Sequence, residues 1–142
     1  MHKKALLASI LILSTITLYA HSLKVVVDNL RNSDGVVIFS IYDKDGTIPD
    51  EKHKNYTIEL KSKITDKKAS VVFKNLKDGR YAVGIIHDEN ENGKIDKGFL
   101  LPKEGIGFSN YDSIGLSHKP NFKDASFKLD SDKTVKIKVI YF

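Results

Sequence analysis

Beyond residue 22, apolar residues recur at every second position. Leu23, Val25 and Val27 fall on one face of a strand over Leu23–Asp28. Val36–Tyr42 is a β-branched and aromatic run, the pattern of a buried strand. Tyr56–Ile64 alternates through Ile58 and Leu60, and Ala69–Phe73 is a shorter strand. Arg80–His87 puts Tyr81, Val83, Ile85 and His87 on one face. Ala125–Leu129 and Thr134–Tyr141 end the chain, the latter setting Val135, Ile137, Val139 and Tyr141 against Lys136 and Lys138. Turn residues punctuate these runs. Asp34-Gly35 predicts a hairpin between the first two strands, and Asp130–Lys133 predicts a hairpin between the last two. Asp43–Gly46 and Asn75–Gly79 also turn the chain. Residues 88–122 concentrate Gly, Asn, Asp and Pro and read as one long polar loop region. No stretch after residue 22 carries a 3.6-residue stripe. The pattern therefore predicts an all-β chain, a single antiparallel β-sandwich of about seven strands.

The first 22 residues follow a different rule. Met1–Lys4 is basic, and Ala5–Leu18 is uncharged and largely apolar. Ala20 and Ser22 are small residues suited to cleavage, after Ser22 or after Ala20. This is the layout of a secretory signal peptide. A membrane-anchoring helix is the competing reading, but it needs about 20 apolar residues and this run is shorter. The expected division is a signal peptide over 1–22 and a β-sandwich domain over 23–142, with no membrane span after cleavage.

Composition then narrows the chemistry. The chain has no cysteine, which excludes a disulfide framework, a thiolate metal site, a cysteine nucleophile and a lipidated N-terminal cysteine. Loss of Lys3 and Lys4 with the leader leaves 21 cations against 18 acids, a formal charge of +3 rather than +5. So mild a charge, without interleaved aromatic and basic residues, gives no reason to expect a nucleic-acid partner. Small-domain staples are not needed at this length.

One segment of the loop region carries candidate chemistry. Asp88-Glu-Asn90-Glu-Asn92-Gly93-Lys94-Ile95-Asp96 has the spacing of a calcium loop. Oxygen side chains occupy positions 1, 3 and 5, a glycine allows the turn at 6, and the backbone carbonyl of Lys94 would ligate from 7. Asp96 takes position 9. Position 12 holds Phe99 where a bidentate Glu belongs, and the preceding segment reads as a strand, so this is not a helix-flanked hand. The last carboxylate must come from elsewhere. Glu104 is nearest in sequence, with Asp43, Asp45 and Asp112 as alternatives. With so few charged ligands, affinity for calcium should be weak, on the order of 10⁻⁴–10⁻³ M. A metal-free turn closed by Asx hydrogen bonds explains the same residues. His87 could ligate a metal beside Asp88, although a His ending a buried strand is more often hydrogen-bonded within the fold. His53 and His118 lie in polar loops without visible partners. No catalytic signature is present: H-E-x-x-H and G-x-S-x-G are missing, and Gly105–Asn110 lacks the last glycine of a dinucleotide loop.

Two resemblances add to this. Leu76-Lys-Asp-Gly79-Arg-Tyr81-Ala-Val83 resembles a signature of prealbumin-like and carboxypeptidase-regulatory-like sandwiches, so an Ig-like or prealbumin-like topology is implied. His87–Asp96, followed by Pro102-Lys103-Glu104-Gly105-Ile-Gly107-Phe108-Ser109-Asn110, resembles the bacterial family known as domain of unknown function 2141. That resemblance extends through Tyr42-Asp43…Ile48-Pro49 and Asn121-Phe122…Ala125-Phe127. It implies export and a small β domain, with no established activity. The motif positions here are His87, Asp88, Asn90, Gly93, Asp96, Pro102, Glu104, Gly107, Ser109 and Asn110.

Three function classes follow. The leading one is a non-enzymatic module of the envelope, periplasmic or secreted, with an envelope protein or a glycan as the kind of ligand to expect. The second is a periplasmic enzyme with a site in residues 87–112, using His87, Asp88 and Glu104. A concave pocket holding His87 and Glu104 together would favour it. The third is a small outer-membrane barrel ending at Phe142, which would need longer strands and more of them.

Overall fold

The computed structural model describes residues 10–12, 20–95 and 103–142. Eight strands and one short helix are present among them. One sheet, in the order β4-β1-β8, holds β1 (His21–Asp28), β4 (Ala69–Leu76) and β8 (Lys133–Lys138). The other holds β3 (Ile58–Lys63), β2 (Val36–Tyr42), β5 (Gly79–Asp88) and β6 (Gly105–Phe108) in that order, with β7 (Phe127–Leu129) also pairing β5. All pairings are antiparallel except β1 with β8. The helix α1 (Phe122–Ala125) is capped by Asn121, whose side chain accepts from the Asp124 N–H at 2.9 Å. Among the described residues no helix is long and apolar enough to cross a membrane.

Strand alternation explains the layering. Leu23, Val25 and Val27 of β1 meet Val37, Phe39 and Ile41 of β2 in one core that also takes Phe73, Leu76, Val83, Ile85 and Ile137. Unusually, β2 and β5 are buried on their outward face too. There Tyr42 and Ala82 join Ile48, Tyr111, Phe122 and Ala125 in a second apolar cluster. Those partners come from the loop after β2, the segment after β6 and α1, which together cover the outer face of this sheet.

Two expected hairpins are not formed. β1 and β2 lie in different sheets, so Asp34-Gly35 does not close a ladder between them. Gly35 has φ of 70°, and its missing side chain serves a different contact: a Cβ there would sit 2.0 Å from the Asp88 carbonyl oxygen. Likewise β7 pairs β5, whereas β8 runs parallel to β1, so residues 130–133 cross between sheets. The 88–122 region is not one loop either. β6 lies within it and pairs Gly105 with His87 and Phe108 with Gly84. Its glycines hide the strand from any propensity argument. A Cβ on Gly107 would come within 2.4 Å of the Lys138 carbonyl oxygen, so only glycine lets β6 approach the end of β8 this closely. The Ile106–Ile140 bridge then ties the two sheets together at that edge, with N–O distances of 2.7 and 3.0 Å.

Candidate functional site

Asp88 ends β5 and begins a tight polar turn. Its Oδ1 accepts from the Asn92 N–H at 3.2 Å and its Oδ2 from the Gly93 N–H at 2.7 Å. Asn90 Oδ1 accepts from Asn92 N–H at 3.2 Å, and Asn92 Oδ1 accepts from Lys94 N–H at 2.9 Å. Gly93 sits at φ of 71°, as the turn requires. The spacing that suggests an ion loop thus winds the backbone around the Asp88 carboxylate. Asp96 and Phe99 lie outside the described residues. Among the described residues no three His, Asp or Glu side chains converge to hold a metal.

Register sorts the proposed extra donors. Asp88 lies opposite Val36, at the start of β2. Asp43 and Asp45 follow Tyr42, at its far end, roughly 20 Å away along a seven-residue strand. Asp112 follows β6, which runs away from Asp88, and it borders a polar hollow with Asp28 and Lys136. Only Glu104 is placed beside the turn, since its neighbour Gly105 pairs with His87. Glu104 is buried, and its charge adds to the larger effect of the Glu89 hydrogen bond in raising the affinity of Arg31 for its proton.

His87 is fully buried and both ring nitrogens are engaged. Nε2 lies 2.9 Å from the Asp34 carbonyl oxygen, an acceptor, so Nε2 carries the hydrogen. Nδ1 then accepts from the Tyr141 hydroxyl at 2.8 Å, while that oxygen accepts from the Arg31 N–H at 3.0 Å. This chain fixes the tautomer and leaves His87 holding three segments together. Arg31, three residues before the Asp34-Gly35 turn, is central here. Its Nε donates to Glu89 at 2.6 Å, its Nη2 to the Lys103 carbonyl at 3.1 Å, and its guanidinium lies 4.7 Å from the Tyr141 ring centre. The hydrogen bond from Arg31 holds the Glu89 carboxyl below the usual range, against the opposing pull of burial. Burial pushes the Tyr141 hydroxyl up.

A more apolar concave surface lies elsewhere, over the outer face of β2 and β5. It forms an open-mouthed cavity of about 190 Å³ lined by neither His87 nor Glu104. Its floor is a row across the sheet in which Ser40 faces Gly84 and Gly84 faces Phe108, with Ile86 and Ile106 in the next row. One wall is Pro49–His53, the other Ile114–Leu116 with Lys119 and Pro120, and Ile95 brings in the end of the Asp88 turn. Asp50 organises the first wall. Its oxygens accept from the Tyr42 hydroxyl at 3.1 Å and from the Lys54 and Asn55 N–H groups at 2.8 and 2.9 Å. Burial, reinforced by the Asp50 charge, raises the Tyr42 hydroxyl far above its ordinary value and keeps it a donor. His53 is not partnerless: Nε2 lies 2.6 Å from Glu59 Oε2 and the ring stacks at 4.6 Å on Tyr56. The His118 ring lies 5.3 Å from that of Tyr111, tilted by 45°.

Sequence reasoning passed over Ser40 and Gly84. The available signal was a hydroxyl and a glycine on the outward positions of two otherwise bulky apolar strands. Asp50 and Arg31 gave no such signal, because their partners are distant in sequence or are backbone groups.

Comparison with known proteins gives one match. The model of a family described as "uncharacterized protein conserved in bacteria", domain of unknown function 2141, matches residues 25–138. No curated protein and no solved structure matches the chain.

Proposed function

The chain belongs to the bacterial family of domain of unknown function 2141, and on that premise we propose that it is an exported, non-catalytic β-sandwich module of the envelope. Its binding surface is the outer cavity, and the Asp88 turn is a weak calcium site that steadies one end of it. The observation that carries the reading is the position of that cavity. Its lining is mostly apolar with a few polar groups, the character of a ligand pocket rather than of an acid–base site. The residues an enzyme would need, His87 and Asp88, spend their polar atoms on Tyr141, the Asp34 carbonyl and the turn. An apolar lining also suits a hydrophobic ligand better than a glycan.

Support for export comes from the leader-like segment and from where β1 begins. His21 pairs with Leu76 and hydrogen-bonds Asp78. Cleavage after Ala20 keeps both contacts; cleavage after Ser22 removes them. Osmotic-shock fractionation followed by intact-mass measurement tests this. The expected product is periplasmic and starts at His21. A cytoplasmic product that retains Met1 would overturn the reading.

A further inference from the structure

We propose that the outer cavity takes a small uncharged ligand, about the size of one substituted ring, anchored by a hydrogen bond to the Ser40 hydroxyl. This rests on the reading of that cavity as the binding surface. Ser40 faces outward between Ile38 and Tyr42 on β2, with its residue 1% exposed. Its Oγ makes no hydrogen bond of ordinary geometry, although the hydroxyl is near enough to Tyr42 to favour the phenolate slightly. An unsatisfied buried hydroxyl is costly, and a branched apolar residue would serve a central strand better. A group left in that state, at the floor of a cavity, is a hydrogen-bonding partner for something that enters.

The neighbouring position leaves room for that entry. Gly84 lies directly opposite Ser40. A Cβ on it would approach the Phe108 ring to 3.1 Å and the Tyr42 ring to 3.3 Å. Any larger side chain would therefore occupy the slot between those two rings, beside the hydroxyl. Glycine in a strand interior weakens the strand and marks a place where something else comes close.

Size and charge limit the ligand. The volume of about 190 Å³ is comparable with an engineered apolar cavity of about 150 Å³ that takes up benzene. It admits one ring with small substituents within the walls. An anion would meet two carboxylates, Asp50 and Glu51, on one wall against the single cation of Lys119 on the other. A cation would find the Asp50 oxygens already accepting three hydrogen bonds. At the rim Leu116 is 72% exposed, an apolar side chain that an apolar occupant would cover.

Two probes of equal ring size separate the parts of the proposal. Isotope-labelled protein recovered from the periplasm is titrated with p-cresol and with toluene, following backbone amide shifts. Both should give saturable shifts centred on Ser40, Gly84 and Phe108. Ser40→Ala should weaken p-cresol about tenfold, because the ligand hydroxyl is then buried without a partner, and leave toluene unchanged. The same variant should melt at or above the wild-type temperature. Gly84→Val should abolish both titrations; if it does not fold, the Ser40→Ala comparison decides alone. Equal p-cresol affinity in wild type and Ser40→Ala would overturn the anchoring role while leaving an apolar site in place. Saturable shifts with neither probe would overturn the cavity as a small-molecule site altogether. Shifts of the same amides with protein concentration alone would assign the cavity to side chains of a second copy, and would also overturn the proposal.

Discussion

The two faces of β2 and β5 are both buried, but by different kinds of neighbour. Inward, Val37, Phe39, Ile41, Val83 and Ile85 meet the opposing sheet, and every one is a bulky apolar residue. Outward, Ile38, Ser40 and Tyr42 alternate with Ala82, Gly84 and Ile86 across from them, a mixture that includes a hydroxyl, a phenol and a glycine. A face covered by another sheet must be filled to the density of a crystal, which selects bulk at every position. A face covered by loops can keep a gap, because the loops are held by their own hydrogen bonds rather than by the gap being closed. Asp50 holds one such loop through a side chain and two backbone N–H groups. Rigid strands beneath adaptable cover are where ligand sites are commonly built.

The largest effect that could break this contrast is the cost of removing the same side chain from either face. Ile41 faces the inner core and Ile86 borders the outer cavity. Ile41→Ala should cost about 3–4 kcal/mol, the transfer loss plus a new void. Ile86→Ala should cost about 2 kcal/mol, because the space it opens joins one already present. Urea unfolding at neutral pH measures both. Equal losses would mean that the outer face is packed as tightly as the inner one, and the distinction drawn here would fall.

The same contrast explains what was legible in the sequence. Strands facing a sheet announce themselves by alternation, so Val36–Tyr42 appears in the structure with the expected bounds, and the expected strand Arg80–His87 appears as Gly79–Asp88. β6 does not, because Gly105 and Gly107 are selected by close approach to Val139, Tyr141 and the Lys138 carbonyl. Pairing partners were also hidden. Asp34-Gly35 has hairpin chemistry, yet its glycine answers to a clash with Asp88 rather than to a two-strand turn. The parallel pairing of β1 with β8 joins strands at opposite ends of the domain, which local turn signals cannot reveal. At the candidate site, the Asp88 turn was readable because its partners lie within six residues. The cavity was not, since its lining is gathered from separated segments between Ser40 and Phe142.

A smaller effect sharpens the contrast on the loop side. If the Asp88 turn takes calcium in the folded state only, the metal should stabilise the protein by roughly 1.4 kcal/mol at ten times its dissociation constant. That amounts to a few degrees in Tm for a domain of this size. Millimolar calcium in a thermal melt checks it. Asp88→Asn keeps one acceptor oxygen and loses the charge, so it should reduce the calcium response more than it lowers the calcium-free Tm. No change in wild-type Tm would leave the turn with a structural role alone, closed by the Asn92, Gly93 and Lys94 N–H groups.

The smallest effect concerns charge, on which loop-held regions rely and sheet packing does not. Arg31 hydrogen-bonds Glu89 at 2.6 Å and lowers the affinity of that carboxylate for protons. The folded protein therefore binds this proton less readily than the unfolded chain, where a Glu titrates at about 4.3. The stabilisation is fully present above that value and is lost as pH falls through the lower folded value. Its size is limited by solvent, since the Arg31 and Glu89 side chains are 43% and 23% exposed. Such a pair contributes below about 1 kcal/mol. Glu89→Gln should thus lower the urea midpoint slightly at pH 7 and match wild type near pH 3. A gap of the same size at both pH values would show that Glu89 acts through packing near Tyr141, and that the loop side is held, like the core, by contact rather than by charge.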